Sequence, residues 1–262
     1  MSVKIEKVTT DRFEMKYFKF GTGNKRIVVL PGLSVKSVMG SANSIASAYS
    51  VMKDDYTVYV FDRRTACPKE YTIQDMADDT AKVFDVLGIE DAYVFGVSQG
   101  GMIAQCIAIN HPKLVRKLAL CSTVSKITEE NSRIIEDWIK FAEEGDENAL
   151  NKSICEAVYS DEFCKKFENF IMQIMIGATK DDINRFIILA KSCRDFNLCD
   201  KLSKIICPVF VVGTKKDKVF SADEFVFTAQ QTKARLYIYD DFGHAVYDEA
   251  PDYLERVMKF FE

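Results

Sequence analysis

The sequence predicts an α/β fold, a mostly parallel sheet flanked by helices and interrupted by a helical insertion. Three observations carry this. Short apolar runs rich in β-branched residues alternate with longer segments of helical period along the 262-residue chain. From about 123 to 205 that alternation stops and only helical periodicity remains. Strand character then resumes at Pro208-Val-Phe-Val-Val-Gly213. One large domain with an insertion suits this length. The expected division is a core of 1–123 with 206–262 and a helical cap of 124–205.

Taken in order, residues 4–9 and 12–20 read as an antiparallel hairpin at a sheet edge, followed by the turn Gly21-Thr22-Gly23-Asn24. Residues 26–30 form a buried strand ending at Pro31-Gly32, residues 35–52 look helical, and 56–61 is the next strand. A helix over 72–87 places Ile73, Met76, Ala77, Thr80, Val83, Phe84 and Leu87 along one face. Residues 92–97 are a buried strand, and 99–110 a helix apolar almost all round, as a helix against the sheet centre should be. After a strand at 115–121, helical periods cover 132–143, 148–158, 162–176 and 181–192. The chain closes with a strand at 208–213, a helix at 222–231, a strand at 236–239 and a helix at 253–261. Ser221 with Glu224 makes a capping box for the first of those two helices.

Composition excludes several functions. At 48% hydrophobic and 28% charged residues the chain is an ordinary folded protein. No stretch reaches the roughly 18 apolar residues of a membrane span, and residues 1–12 lack the apolar core of a secretory signal, so a cytoplasmic location without a membrane partner is expected. A net charge of −4 without basic blocks offers nucleic acid no footprint. The eight cysteines form no C-x-x-C pair and read as reduced core residues, and with only His111 and His244 no metal site is expected. Neither G-x-G-x-x-G nor a phosphate-binding loop is present, so no cofactor is expected either.

Chemistry concentrates at three places. Gly96-Val97-Ser98-Gln99-Gly100 fits G-x-S-x-G between a buried strand and a buried helix, the setting of a nucleophile elbow. The turn is so tight that residues two before and two after the serine should approach each other, hence glycine at both. Gly101 suits close packing of the helix on a neighbouring strand. A serine hydroxyl is a poor nucleophile, so a base and an orienting acid are required. The loop Thr214-Lys215-Lys216-Asp217 after a strand offers Asp217 at the sheet's C-terminal edge. Phe242-Gly243-His244 follows the last strand at that edge, with Gly243 leaving room for the ring to swing. His111, before Pro112, should lie a helix length, roughly 15 Å, from Ser98 and act as a helix C-terminal partner. The order Ser98, Asp217, His244 is that of a hydrolase triad. Two backbone N–H groups should form the oxyanion hole, that of Gln99 and that of Leu33 just past Pro31-Gly32.

These residues resemble the α/β-hydrolase superfamily, in particular capped serine esterases and lactonases of the enol-lactone-hydrolase type. The similarity rests on Gly96-Val-Ser-Gln-Gly-Gly-Met-Ile-Ala-Gln105, His111-Pro112 and Gly243-His-Ala-Val-Tyr-Asp-Glu-Ala-Pro251, and it spans nearly the whole chain. Three departures stand out. Pro31 occupies the position before the oxyanion glycine where the family usually has histidine, and Arg63-Arg64-Thr65-Ala66-Cys67 replaces a glycine-rich turn. Asp217 also comes one residue later after Gly213 than is common, with Ser221 in place of a frequent proline. None removes a reacting group.

The resemblance implies that 124–205 sits over Ser98 as a cap. Phe163, Phe167, Phe170, Met172, Met175 and Phe186 give it apolar surface, most of it packed internally and some lining an acyl pocket. A small, largely uncharged ester, lactone or thioester is the expected substrate. Arg63 and Arg64 are read as exposed and outside the site. The same triad would also serve acyl transfer, perhydrolysis or C–C bond hydrolysis, and the fold can hold a ligand without turning it over.

Overall fold

The computed structural model describes residues 2–262, all side chains but that of Ile174 included. Eight strands form one sheet: β1 (Ile5–Thr9), β2 (Glu14–Phe20), β3 (Lys25–Leu30), β4 (Tyr56–Arg64), β5 (Ala92–Val97), β6 (Val115–Cys121), β7 (Val209–Thr214) and β8 (Arg235–Tyr239). Their spatial order is β1-β2-β4-β3-β5-β6-β7-β8. β2 runs antiparallel to β1 and β4, and every other pairing is parallel. The α/β-hydrolase architecture expected from the sequence is the one observed.

Helices cover both faces. α1 (Ala42–Ala48) and α10 (Tyr253–Phe261) pack on one, where Ala46, Val257 and Phe261 meet Val29, Val58 and Phe95. α2 (Ile73–Leu87), α3 (Gln99–Asn110) and α8 (Ala222–Thr232) pack on the other, through Met76, Ile103 and Phe225 against Val28, Val94 and Val211. A short α9 (Val246–Glu249) precedes α10. The helix read over 35–52 is broken in the structure: 3-10 turns at Val38–Ser41 and Ser50–Met52 flank the two turns of α1. Its serines and glycine compete with a continuous helix, and the Ser37 hydroxyl caps the first 3-10 turn by accepting from the Met39 N–H.

Between β6 and β7 stand α4 (Glu129–Glu144), α5 (Glu147–Val158), α6 (Asp161–Met175) and α7 (Lys180–Lys191). Reciprocal caps start two of them, Thr128 with Asn131 and Thr179 with Asp182. The segments that leave and re-enter the sheet pair with each other: the Ile127 N–H donates to Phe196 O at 2.9 Å and the Leu198 N–H to Ser125 O at 2.8 Å. This neck anchors the inserted helices beside the C-terminal ends of the strands. No helix among the described residues is long and apolar enough to cross a membrane.

The sheet order fixes where chemistry can sit. From β3 the chain moves outward to β4, then returns to add β5 on β3's other side, with Leu30 opposite Gly96. Loops leaving β3 and β5 therefore open side by side at a topological switch point, the crevice where ligands bind open α/β sheets.

Candidate active site

Ser98 lies between β5 and α3 with φ +50° and ψ −123°, a conformation costing a non-glycine residue about 1–3 kcal/mol. Its surroundings hold it there. The Ser98 N–H donates to Cys121 O at 2.9 Å, and Ser98 O accepts from the Gly101 N–H at 2.8 Å and the Thr123 hydroxyl at 2.7 Å. The two elbow glycines are needed for different reasons. A Cβ on Gly96 would sit 2.7 Å from Gly100 O, as the tight turn requires. One on Gly100 would sit 1.9 Å from Leu30 O, so that glycine clears the end of β3 rather than Gly96. Gly101 packs directly on Thr123 just beyond β6, as expected.

Asp217 and His244 leave the ends of β7 and β8, and the structure joins them: His244 Nδ1 is 2.8 Å from Asp217 Oδ2, with side-chain exposures of 5% and 0%. The second carboxylate oxygen of Asp217 accepts the N–H groups of Val219 at 2.8 Å and Phe220 at 2.9 Å. Both oxygens being engaged, the carboxylate has one orientation, and it sets Nδ1 as the protonated nitrogen and turns Nε2 outward. The Phe220 ring stands edge-on to the imidazole with centroids 5.2 Å apart. The space beside Gly243 does not serve ring movement. A Cβ there would fall 2.5 Å from Ser160 N, so the α5–α6 junction occupies it. Ser98 and His244 line one cavity, without a direct hydrogen bond between them among the described contacts. His111 is elsewhere, at the end of α3 with Nε2 3.2 Å from Asp78.

Neither the Leu33 nor the Gln99 N–H has an intramolecular hydrogen-bond partner among the described residues, which leaves both donors open at the elbow. The Gln99 side chain is committed: its amide donates to Leu189 O in α7 at 2.7 Å, and its oxygen accepts from Arg63 Nη2 at 3.0 Å. Arg63 corrects the sequence reading. It is 5% exposed, because β4 continues through Asp62 and Arg63 instead of ending at Phe61. Its Nη2 also donates to Pro31 O at 2.7 Å. Burial lowers its pKa to about 10, opposed by the neighbouring Asp62 charge. Asp62 in turn accepts Arg185 of α7 at 2.6 Å and the Ser37 hydroxyl. Sequence reasoning missed this joint because Asp-Arg-Arg looks like a solvated turn. The signal was that a buried strand need not end at its first charge if charges of both signs follow.

With this geometry in hand, comparison with known proteins is decisive at the level of family. The sequence model of the alpha/beta hydrolase fold matches residues 25–160. The chain belongs to that family. The chain is 24% identical to serine hydrolase BPHL of Mus musculus over 275 aligned positions, covering 99% of this chain and 87% of that one. It is 20% identical to 3-oxoadipate enol-lactonase 1 of Acinetobacter baylyi, over 81% of this chain and 80% of that one. Two solved structures share the fold across nearly the whole chain. They are MGS-M2, an alpha/beta hydrolase enzyme from a Medee basin deep-sea metagenome library (TM-score 0.87, 21% identity, 98% and 97% coverage), and the enol-lactonase of Burkholderia xenovorans LB400 (TM-score 0.83, 18% identity, 98% and 99% coverage).

In this hydrolase-fold chain the Ser98 cavity holds about 620 Å³. The β3 loop forms one wall through Leu33, and the inserted helices form another through Trp138, Ile154, Ile171, Met175 and Phe186. Of the apolar residues singled out from the sequence, Met175 and Phe186 line it, whereas Phe163 and Phe167 pack on each other with centroids 4.6 Å apart. Phe170 packs on neither, being 63% exposed. Among the described residues no group of three or more His, Cys, Asp and Glu side chains could hold a metal.

Proposed function

We propose that this protein is a serine hydrolase that cleaves a small, largely apolar carboxylic ester, lactone or thioester through an acyl-enzyme on Ser98. The observation that carries this reading is the fixed Asp217–His244 pair presenting its free ring nitrogen to the cavity that also holds the strained, half-buried Ser98. Family membership and the activities for which its relatives are named, a serine hydrolase and enol-lactonases, support the same reading.

His244 Nε2 takes the proton of the Ser98 hydroxyl as Oγ attacks the acyl carbon. The carbonyl oxygen becomes an oxyanion facing the Gln99 and Leu33 N–H groups, while Asp217 stabilises the imidazolium through Nδ1. The C–O or C–S bond to the leaving group breaks as His244 returns the proton to it. Water, deprotonated by the same nitrogen, then attacks the acyl-enzyme and releases the acid with Ser98 restored. The inserted helices of 124–205 act as the cap, since their apolar side chains supply most of the wall that would meet an acyl chain.

A panel of short- and medium-chain esters, lactones and thioesters, assayed on the wild type and on Ser98→Ala, tests the reading. Turnover of at least one class should fall roughly 10³-fold or more in the variant. Equal turnover by both proteins would overturn it.

A further inference from the structure

We propose that a second cavity beside the Ser98 cavity is a subsite for a protonated amine carried by the substrate, with Asp248 as its counter-ion and Tyr49 and Tyr247 as its aromatic walls. This rests on the hydrolase reading above and names a substrate class for it. The second cavity holds about 450 Å³ and shares Gly32, Leu33, Ser34, Val38 and Tyr247 with the first. The two cavities are therefore adjacent across the β3 loop, and the proposed substrate, esterified at Ser98, reaches past that loop with its amine.

The carboxylates around the histidine loop differ in what they have left to offer. Asp217 has both oxygens engaged, by His244 and two backbone N–H groups. Glu249 is likewise committed: one oxygen accepts the N–H groups of Ser160 and Gly243, and the other accepts the Ser160 hydroxyl. Asp248 accepts only the Tyr159 hydroxyl, at 3.1 Å, and pairs with no cation among the described residues. Solvent reaches it through the cavity, yet enough protein surrounds it that desolvation pushes its carboxyl up to about 6. An ionised carboxylate that lines a cavity without a cationic partner is stabilised by an incoming ammonium group through a charge-assisted hydrogen bond.

The walls suit such a cation. Tyr49 and Tyr247 line the cavity together with Asp248, and their hydroxyls are raised in pKa first by burial and then by the Asp248 charge. Ring faces beside a carboxylate attract ammonium groups. A substrate anion would be repelled by Asp248, and a neutral hydroxyl would bring it no counter-charge. Lys36 lines the Ser98 cavity but not this one.

Two isosteric substrate pairs test the proposal, covering both sides of the scissile bond: nitrophenyl esters of 6-aminohexanoic and heptanoic acid, and the 3-(dimethylamino)propyl and 4-methylpentyl esters of butyric acid. In at least one pair the cationic ester should be favoured ten-fold or more in kcat/KM at pH 7.5. Asp248→Asn should bring that ratio close to one. The ratio should also fall below pH 6, where Asp248 gains a proton. Any change in the catalytic machinery acts on both members of a pair and cancels. Of the other groups facing Asp248, the Tyr49, Tyr159 and Tyr247 hydroxyls stay neutral, and Glu249 and Asp217 remain hydrogen-bonded.

Binding separates this proposal from the catalytic one. Hexylammonium should bind to Ser98→Ala in calorimetry and lose at least ten-fold in affinity when Asp248→Asn is added. Ratios near one in both wild-type pairs, or hexylammonium affinity indifferent to Asp248, would overturn the amine subsite while leaving Ser98-dependent hydrolysis of neutral esters intact. Hexylammonium binding at Asp248 with ester turnover unaffected by Ser98→Ala would instead overturn the catalytic reading alone.

Discussion

The Ser98 cavity is bordered where α3 begins and again along α6, and these two helices are built in opposite ways. In α3 every residue but Asn110 is buried, and its first turn accommodates neighbouring backbone only because Gly100 has no side chain. In α6, among the described side chains, only Ile171 is buried, and Phe170 stands largely in solvent. The elbow side is a close-packed socket in which one added methyl group collides with backbone. The inserted side is uneven: α4 and α7 bury Ile135, Trp138, Phe186 and Leu189 in the main core, whereas α6 is a loosely covered part of the wall. The chemistry proposed for Ser98 needs fixed geometry, which the first supplies, and in that proposal the surface that selects substrate comes largely from the second.

The largest expected effect tests the socket. Asp217→Asn leaves the packing in place but removes the acceptor that fixes the ring, and kcat on the best substrate should fall roughly 10⁴-fold, as loss of the orienting acid does in comparable triads. Steady-state kinetics with an unchanged melting temperature would confirm it, and a loss under ten-fold would mean the ring is held by something other than Asp217. Next, Gly100→Ala should destabilise the fold by about 4 kcal/mol, because a Cβ 1.9 Å from Leu30 O can be accommodated only by moving backbone. Denaturant titration measures this.

Much of the socket was legible in the sequence because its constraints are local. A glycine-flanked serine between an apolar strand and an apolar helix has few other readings, and an aspartate and a histidine directly after strands are brought to one edge by parallel topology alone. What could not be read depended on contacts distant in the chain. The Arg63–Gln99–Leu189 connection joins positions from β4, α3 and α7, and no spacing announces it. Likewise the place beside Gly243 looked like freedom for the ring until the α5–α6 junction was seen to fill it. The division of labour between Asp248 and Glu249, adjacent in sequence, is also set by a distant partner, Ser160.

Two smaller predictions sharpen the contrast on the inserted side. Asp62→Asn weakens the joint between the socket and α7 by removing the charge opposite Arg185, a pair only 14% and 8% exposed. It should cost about 2–3 kcal/mol in chemical denaturation. A negligible cost would show that α7 is held by its apolar face alone. Phe170→Ser should change stability by less than about 0.5 kcal/mol, since the ring is 63% exposed. A loss above 1 kcal/mol would show that α6 is packed more firmly than its exposure indicates.

In the proposed mechanism Ser98 is the nucleophile and His244 its base. The most direct test of these roles is intact-mass and peptide analysis after treatment with a fluorophosphonate. One adduct per chain is expected, located on Ser98 and forming far more slowly in His244→Ala. An adduct on another residue, or labelling of Ser98 at the same rate without the imidazole, would contradict it.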